Sequence, residues 1–99
     1  MTDSLLLIYS RPVDGREREY HDWYDHTHLA DVMAVPGVRS ARRYRSGDTD
    51  GRYLAVYQLD GDPDQVLAEM TRRFGTEAMA PSDALDLSTI SMTVWSPLG

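Results

Sequence analysis

Leu5–Tyr9 is apolar at every position, the pattern of a strand buried on both faces. Pro12, Asp14 and Gly15 interrupt it. Asp14, followed three residues later by Glu17, has capping-box spacing and predicts a helix running from there to about Ala34, where Pro36-Gly37 stops it. Val38–Arg45 and Tyr53–Leu59 read as two strands of a hairpin around the turn Gly47-Asp48-Thr49-Asp50-Gly51. Asp62-Pro63 opens a second helix with proline at its first position. Val66, Leu67, Met70 and Phe74 share one face of it, Arg72 and Arg73 suit its C-terminal dipole, and Gly75 ends it. Residues 76–86 form a longer connection, and Leu87–Trp95 is the last strand.

The order is β-α-β-β-α-β, which predicts a single α+β domain over residues 1–99 with a ferredoxin-like fold. In that arrangement a four-stranded antiparallel sheet carries two helices on one face. The other face needs cover. The first strand is apolar on both sides, and Tyr53, Ala55, Tyr57 and Leu59 alternate with Leu54 and Val56 without a polar face. A homodimer with its sheets packed face to face is the expectation.

Composition narrows the chemistry. The 99 residues carry 16 Asp+Glu against ten basic residues, all of them Arg, for a net charge of -6, with no Lys and no Cys. A Schiff base, a thiolate nucleophile, a disulfide and Cys-ligated metal are therefore excluded. The acidic balance disfavours nucleic acid and anionic membrane as partners. No apolar run is long enough to span a bilayer. No basic region precedes the first apolar run, so no signal peptide is expected, and the absence of Cys fits a cytoplasmic protein. No P-loop, dinucleotide fingerprint or serine nucleophile elbow is present, and no bound cofactor is expected.

What remains is His, carboxylate and Tyr, and all three histidines fall within His21–His28. On a regular helix at about 100° per residue, Tyr20, Trp23, Tyr24, Thr27, Ala30 and Ala34 share the buried arc. Asp31 falls in the middle of that arc, where a carboxylate needs a partner such as Arg43 on the second strand. His28 falls at the rim, one turn from both Tyr24 and Asp31, and His26 faces solvent. A neutral imidazole oriented by a carboxylate titrates near working pH, so His28 is the candidate general acid or base, with Tyr24 and Asp31 orienting it. The spacing of His21, Asp25 and His28 would also suit a non-haem metal, but three ligands spread over two turns of one helix do not converge on one ion unaided. No metal is expected.

Tyr20-His21-Asp22-Trp23-Tyr24-Asp25-His26-Thr27-His28-Leu29-Ala30-Asp31-Val32, then Val35-Pro36-Gly37-Val38 and Ser40-Ala41-Arg42-Arg43-Tyr44, resembles the dimeric α+β barrel superfamily, and most of all its EthD-like branch. That branch often has Pro where this chain has Ala30. The resemblance implies a homodimer with a cavity between helices and sheet in each protomer, and it carries His28 over as the proton-transfer candidate. The superfamily includes lactone isomerases, polyketide cyclases, cofactor-free monooxygenases and haem-handling proteins.

Tyr9, Trp23, Tyr57 and Trp95 can line an aromatic pocket, with Arg43 meeting an anionic substrate. The reading is an enzyme that moves protons on a small aromatic or unsaturated metabolite: an isomerase, cyclase or lyase. The rivals are a cofactor-free monooxygenase of phenols and a non-catalytic ligand- or haem-binding accessory protein, for which the histidine window supplies an axial ligand.

Overall fold

Alternation along the first strand sets the layering. In the computed structural model, which describes residues 3–48 and 50–99, β1 (Ser4–Pro12) buries Ser4, Leu6, Ile8 and Ser10 on one side and half-buries Leu5, Leu7 and Tyr9 on the other. β2 (Val38–Arg45), β3 (Tyr53–Leu59) and β4 (Leu85–Trp95) complete a four-stranded antiparallel sheet ordered β2-β3-β1-β4. The first helical segment is α1 (Glu17–Trp23), a π-helical turn (Tyr24–His28) and α2 (Leu29–Met33) in succession; α3 (Pro63–Arg73) follows the hairpin. This is the ferredoxin-like α+β order. Thr49, in the expected hairpin turn, and Met1 and Thr2 lie outside the described residues.

The core forms where the helices meet one sheet face. Tyr20, Tyr24, Val32, Val66 and Met70 pack on Leu6, Ile8, Ala55, Tyr57 and Leu59. Gly37 lets the chain turn from α2 into β2 at φ +97°, its carbonyl accepting the Asp60 N–H at 2.7 Å. Asp62 caps α3 by accepting the Asp64 N–H at 3.0 Å. The capping box expected at Asp14 does not form. Arg16 is the cap residue of α1 without a side-chain bond, and Glu17 reaches back to the Gly15 N–H at 3.2 Å. β1 and β4 run further than periodicity indicates. Pro12 pairs with Leu85 after a register shift between Tyr9 and Arg11, because proline at a strand end gives up only one ladder bond.

The π-helical turn changes which residues face inward. A π turn holds more residues than the regular 3.6, so everything after it lags behind the regular wheel. The buried positions are Tyr20, Tyr24, His28, Val32 and Val35, while Thr27, Ala30 and Ala34 are exposed and Asp31 is only half-buried. His28 moves from the expected rim into the packed interior.

The opposite sheet face carries Leu5, Leu7 and Tyr9 of β1 beside their register partners Gln58, Val56 and Leu54 on β3. Trp95 pairs with Leu5 across β4 and is 57% exposed. Among the described residues no helix is long and apolar enough to cross a membrane.

Candidate functional site

Between α3, the π turn and the β1–β4 half of the sheet lies a cavity of about 250 Å³. Ile8 and Ser10 form its floor, Tyr24 and His28 one wall, and Leu67, Met70, Thr71 and Phe74 of α3 another; Met79, Leu85, Ile90 and Met92 complete it. Apart from Ser10, Tyr24, His28 and Thr71, every lining residue is apolar.

His28 is 6% exposed. Its ring stacks on Trp23, with centroids 4.3 Å apart and planes 19° from parallel, and meets Tyr24 edge-on at 5.1 Å. No carboxylate orients it. Its Nδ1 is sealed in the protein without a hydrogen-bond partner among the described residues, which leaves Nε2 as the nitrogen open to a molecule in the cavity. Burial, reinforced by the nearby Arg43 charge, pushes its pKa down to about 4. The imidazole is therefore neutral at pH 7, contrary to the expected titration near working pH.

At the floor of the cavity, beside Tyr24, sits a polar knot. The Tyr20 hydroxyl and Ser10 Oγ are 2.6 Å apart, next to the Tyr24 hydroxyl. Burial raises the Tyr20 pKa to about 12 and also raises that of Tyr24. Arg43 lies over the Tyr24 ring at 4.3 Å, and its guanidinium donates to Asp25 at 3.1 Å and to His21 Nδ1 at 3.0 Å.

Several expected site residues fall elsewhere. Asp31 does not pair with Arg43 and makes no ion pair among the described residues; the π turn carries it off the buried face, and Asp25 takes the arginine instead. Tyr9 and Trp95 belong to the opposite sheet face, because the register places both with Leu5 and Leu7. Tyr57 is fully buried in the core beneath the helices and does not line the cavity. Arg43 stands behind Tyr24, and Trp23 behind His28, its Nε1–H donating to the Ala80 carbonyl at 3.1 Å. His21, Asp25 and His28 do not converge: Arg43 engages the first two, while His28 packs on Trp23.

Of the lining residues, only Tyr24 and His28 were marked in the sequence as site candidates; the floor, the α3 wall and the side formed by Met79, Leu85, Ile90 and Met92 were not. Methionine was the available signal. Three of the chain's five, Met70, Met79 and Met92, line the cavity, and flexible thioethers suit adaptable binding walls.

No family model matches this chain, and no curated protein matches its sequence. Solved structures do. Rv0793 from Mycobacterium tuberculosis superposes with a TM-score of 0.69 at 20% identity, over 97% of this chain and 95% of its own. An ethyl tert-butyl ether degradation (EthD) family protein from Bacillus halodurans gives 0.64 at 18%, over 99% and 100%. The heme-degrading protein Rv3592 from Mycobacterium tuberculosis gives 0.62 at 15%, over 99% and 94%. At these identities the likeness is one of fold. The chain has the ferredoxin-like α+β barrel fold resembled by residues 20–44, and an EthD family protein is among the structures that share it.

Proposed function

We propose that this chain is a small cofactor-independent enzyme that takes a compact aromatic or unsaturated metabolite into the cavity and moves a proton on it, as an isomerase, cyclase or lyase does. One observation carries the reading: a neutral imidazole, with one nitrogen sealed and the other available, stands in a nearly apolar cavity. Such a group is a poor base toward water. It takes a proton from a bound acid whose new anion lies beside it, because each charge then stabilises the other in a low dielectric. The Trp23 face supports the imidazolium so formed. The Tyr24 hydroxyl is the neighbouring donor that can hold the substrate oxygen. Asp31 has no part in this reading.

The cavity, at about 250 Å³, is smaller than the roughly 300–1,000 Å³ of pockets that take drug-sized ligands. That size favours a one-ring metabolite over a porphyrin, although Rv3592 is a heme-degrading protein of the same fold. A second reading is a cofactor-free monooxygenase of phenols. The same unhydrated base would deprotonate a phenol, and the electron-rich phenolate itself would react with oxygen. We read the protein as cytoplasmic and as a homodimer, on its cysteine-free composition and its uncovered apolar sheet face.

A thermal-shift screen of phenols, quinones and lactones identifies the ligand, followed by turnover assays of His28→Ala and His28→Gln with it. Loss of turnover with binding retained supports proton transfer; full activity in both variants removes His28 from the chemistry. Oxygen uptake separates the monooxygenase, and a Soret band on adding haem would overturn the choice of a one-ring ligand.

A further inference from the structure

A further concavity, about 230 Å³, lies on the helix side of the sheet at its β2 edge and is lined by His21, Arg43, Tyr44, Arg45 and Tyr53. Arg43 and Arg45 sit on one face of β2, since their register partners are Ala55 and Tyr53. A guanidinium only donates, so the 3.0 Å contact from Arg43 to His21 Nδ1 makes that nitrogen the acceptor and puts the ring proton on Nε2. His21 thus presents an N–H donor and no negative charge. Its ring is fixed edge-on against Tyr53 at 4.6 Å. Asp25 offsets part of the Arg43 charge. The Arg45 side chain makes no ion pair or hydrogen bond among the described residues.

In a protein of net charge -6, this concavity gathers two guanidinium groups and an imidazole N–H, with the exposed carboxylates of Asp25, bonded to Arg43, and Asp22 nearby. We propose that it is a binding site for a small oxyanion, a carboxylate or phosphate group, held by the Arg45 guanidinium and the His21 Nε2–H, with Arg43 as the buried countercharge that fixes His21. The site is separate from the cavity at His28. Arg43 lies between the two, over the Tyr24 ring that lines the first.

The test is a titration of the full chain with inorganic phosphate and, separately, with benzoate at constant ionic strength, following the backbone amides of residues 43–45 and 53 by two-dimensional NMR. Saturable shifts in the millimolar range are expected, and whichever probe binds more tightly names the ligand class. Arg45→Gln is expected to weaken that binding by about tenfold or more, the worth of one charge-assisted hydrogen bond. Arg42→Gln removes the same charge from the opposite face of the same strand and is expected to leave it unchanged. Arg45 is exposed, so its variant retains the fold, checked by circular dichroism. Shifts that stay linear with both probes, or an equal loss in Arg42→Gln, would overturn the site.

Discussion

The His28 imidazole lies flat on the Trp23 indole, with 4.3 Å between centroids, and the indole is itself pinned by its bond to the Ala80 carbonyl. The pair ties the π turn to the connection before β4. It also holds an unpaired Nδ1 in the interior, a placement that favours the neutral ring.

A pH dependence of stability follows. The folded-state pKa of His28 is near 4, against 6.5 for the free side chain. Between those values the unfolded chain binds the proton and the folded one does not. Stability is therefore fully present above pH 6.5 and lost as pH falls toward 4, by about 3 kcal/mol at most. Urea unfolding of wild type and His28→Phe across that range measures the difference. The variant is expected to lose less stability on acidification, and parallel curves would show that His28 does not titrate this way. At pH 7 the variant is expected to be at least as stable as wild type, since it removes an orphaned polar atom.

Tyr57 offers the same logic without a catalytic role. Its ring is fully buried, its hydroxyl has no partner among the described residues, and burial holds its pKa far above the usual tyrosine range. Tyr57→Phe removes only the orphaned oxygen. It is expected to be neutral or to stabilise by about 1 kcal/mol, seen as a rise in Tm. A clear fall in Tm would mean that the hydroxyl has a partner after all.

Gly37 tests the turn that docks α3. A Cβ there would lie 2.6 Å from Val66 Cγ2 and 3.0 Å from the Asp60 carbonyl, at a φ that side chains resist. Gly37→Ala is expected to destabilise by about 2–4 kcal/mol in chemical denaturation. Gly15 has a similar φ and open space around it, so Gly15→Ala carries only the backbone strain and is expected to cost about 1 kcal/mol.

Strands and their order along the chain were legible because alternation and turn residues are local signals: Leu5–Tyr9, Val38–Arg45 and Tyr53–Leu59 sit within the observed strands. The π turn was not legible. No glycine or proline marks Tyr24–His28, and a wheel drawn at 3.6 residues per turn assigned Asp31 and Thr27 to the interior. One trace was present: Tyr20, Tyr24, His28 and Val32 recur at strict intervals of four, wider than the regular period. The cavity wall was hidden for another reason. Met70, Leu67 and Phe74 look like ordinary core in sequence, and only the tertiary arrangement leaves them facing empty volume.

The uncovered sheet face supplies the last prediction. Leu7 and Val56 are register partners on it, both half-buried, with Tyr9, Leu54 and the exposed Trp95 on the same side. If two copies meet there, Leu7→Glu places a carboxylate in an apolar contact between its register partners Val56 and Thr93, which costs several kcal/mol and raises the dimer dissociation constant roughly 100-fold or more. Light scattering at micromolar concentration is expected to give the dimer mass for wild type and the monomer mass for the variant. The helix-side core is untouched by this change, so secondary structure by circular dichroism is expected to persist. A wild-type monomer, or a variant that keeps the dimer mass, would mean that a second copy of this chain does not cover the face.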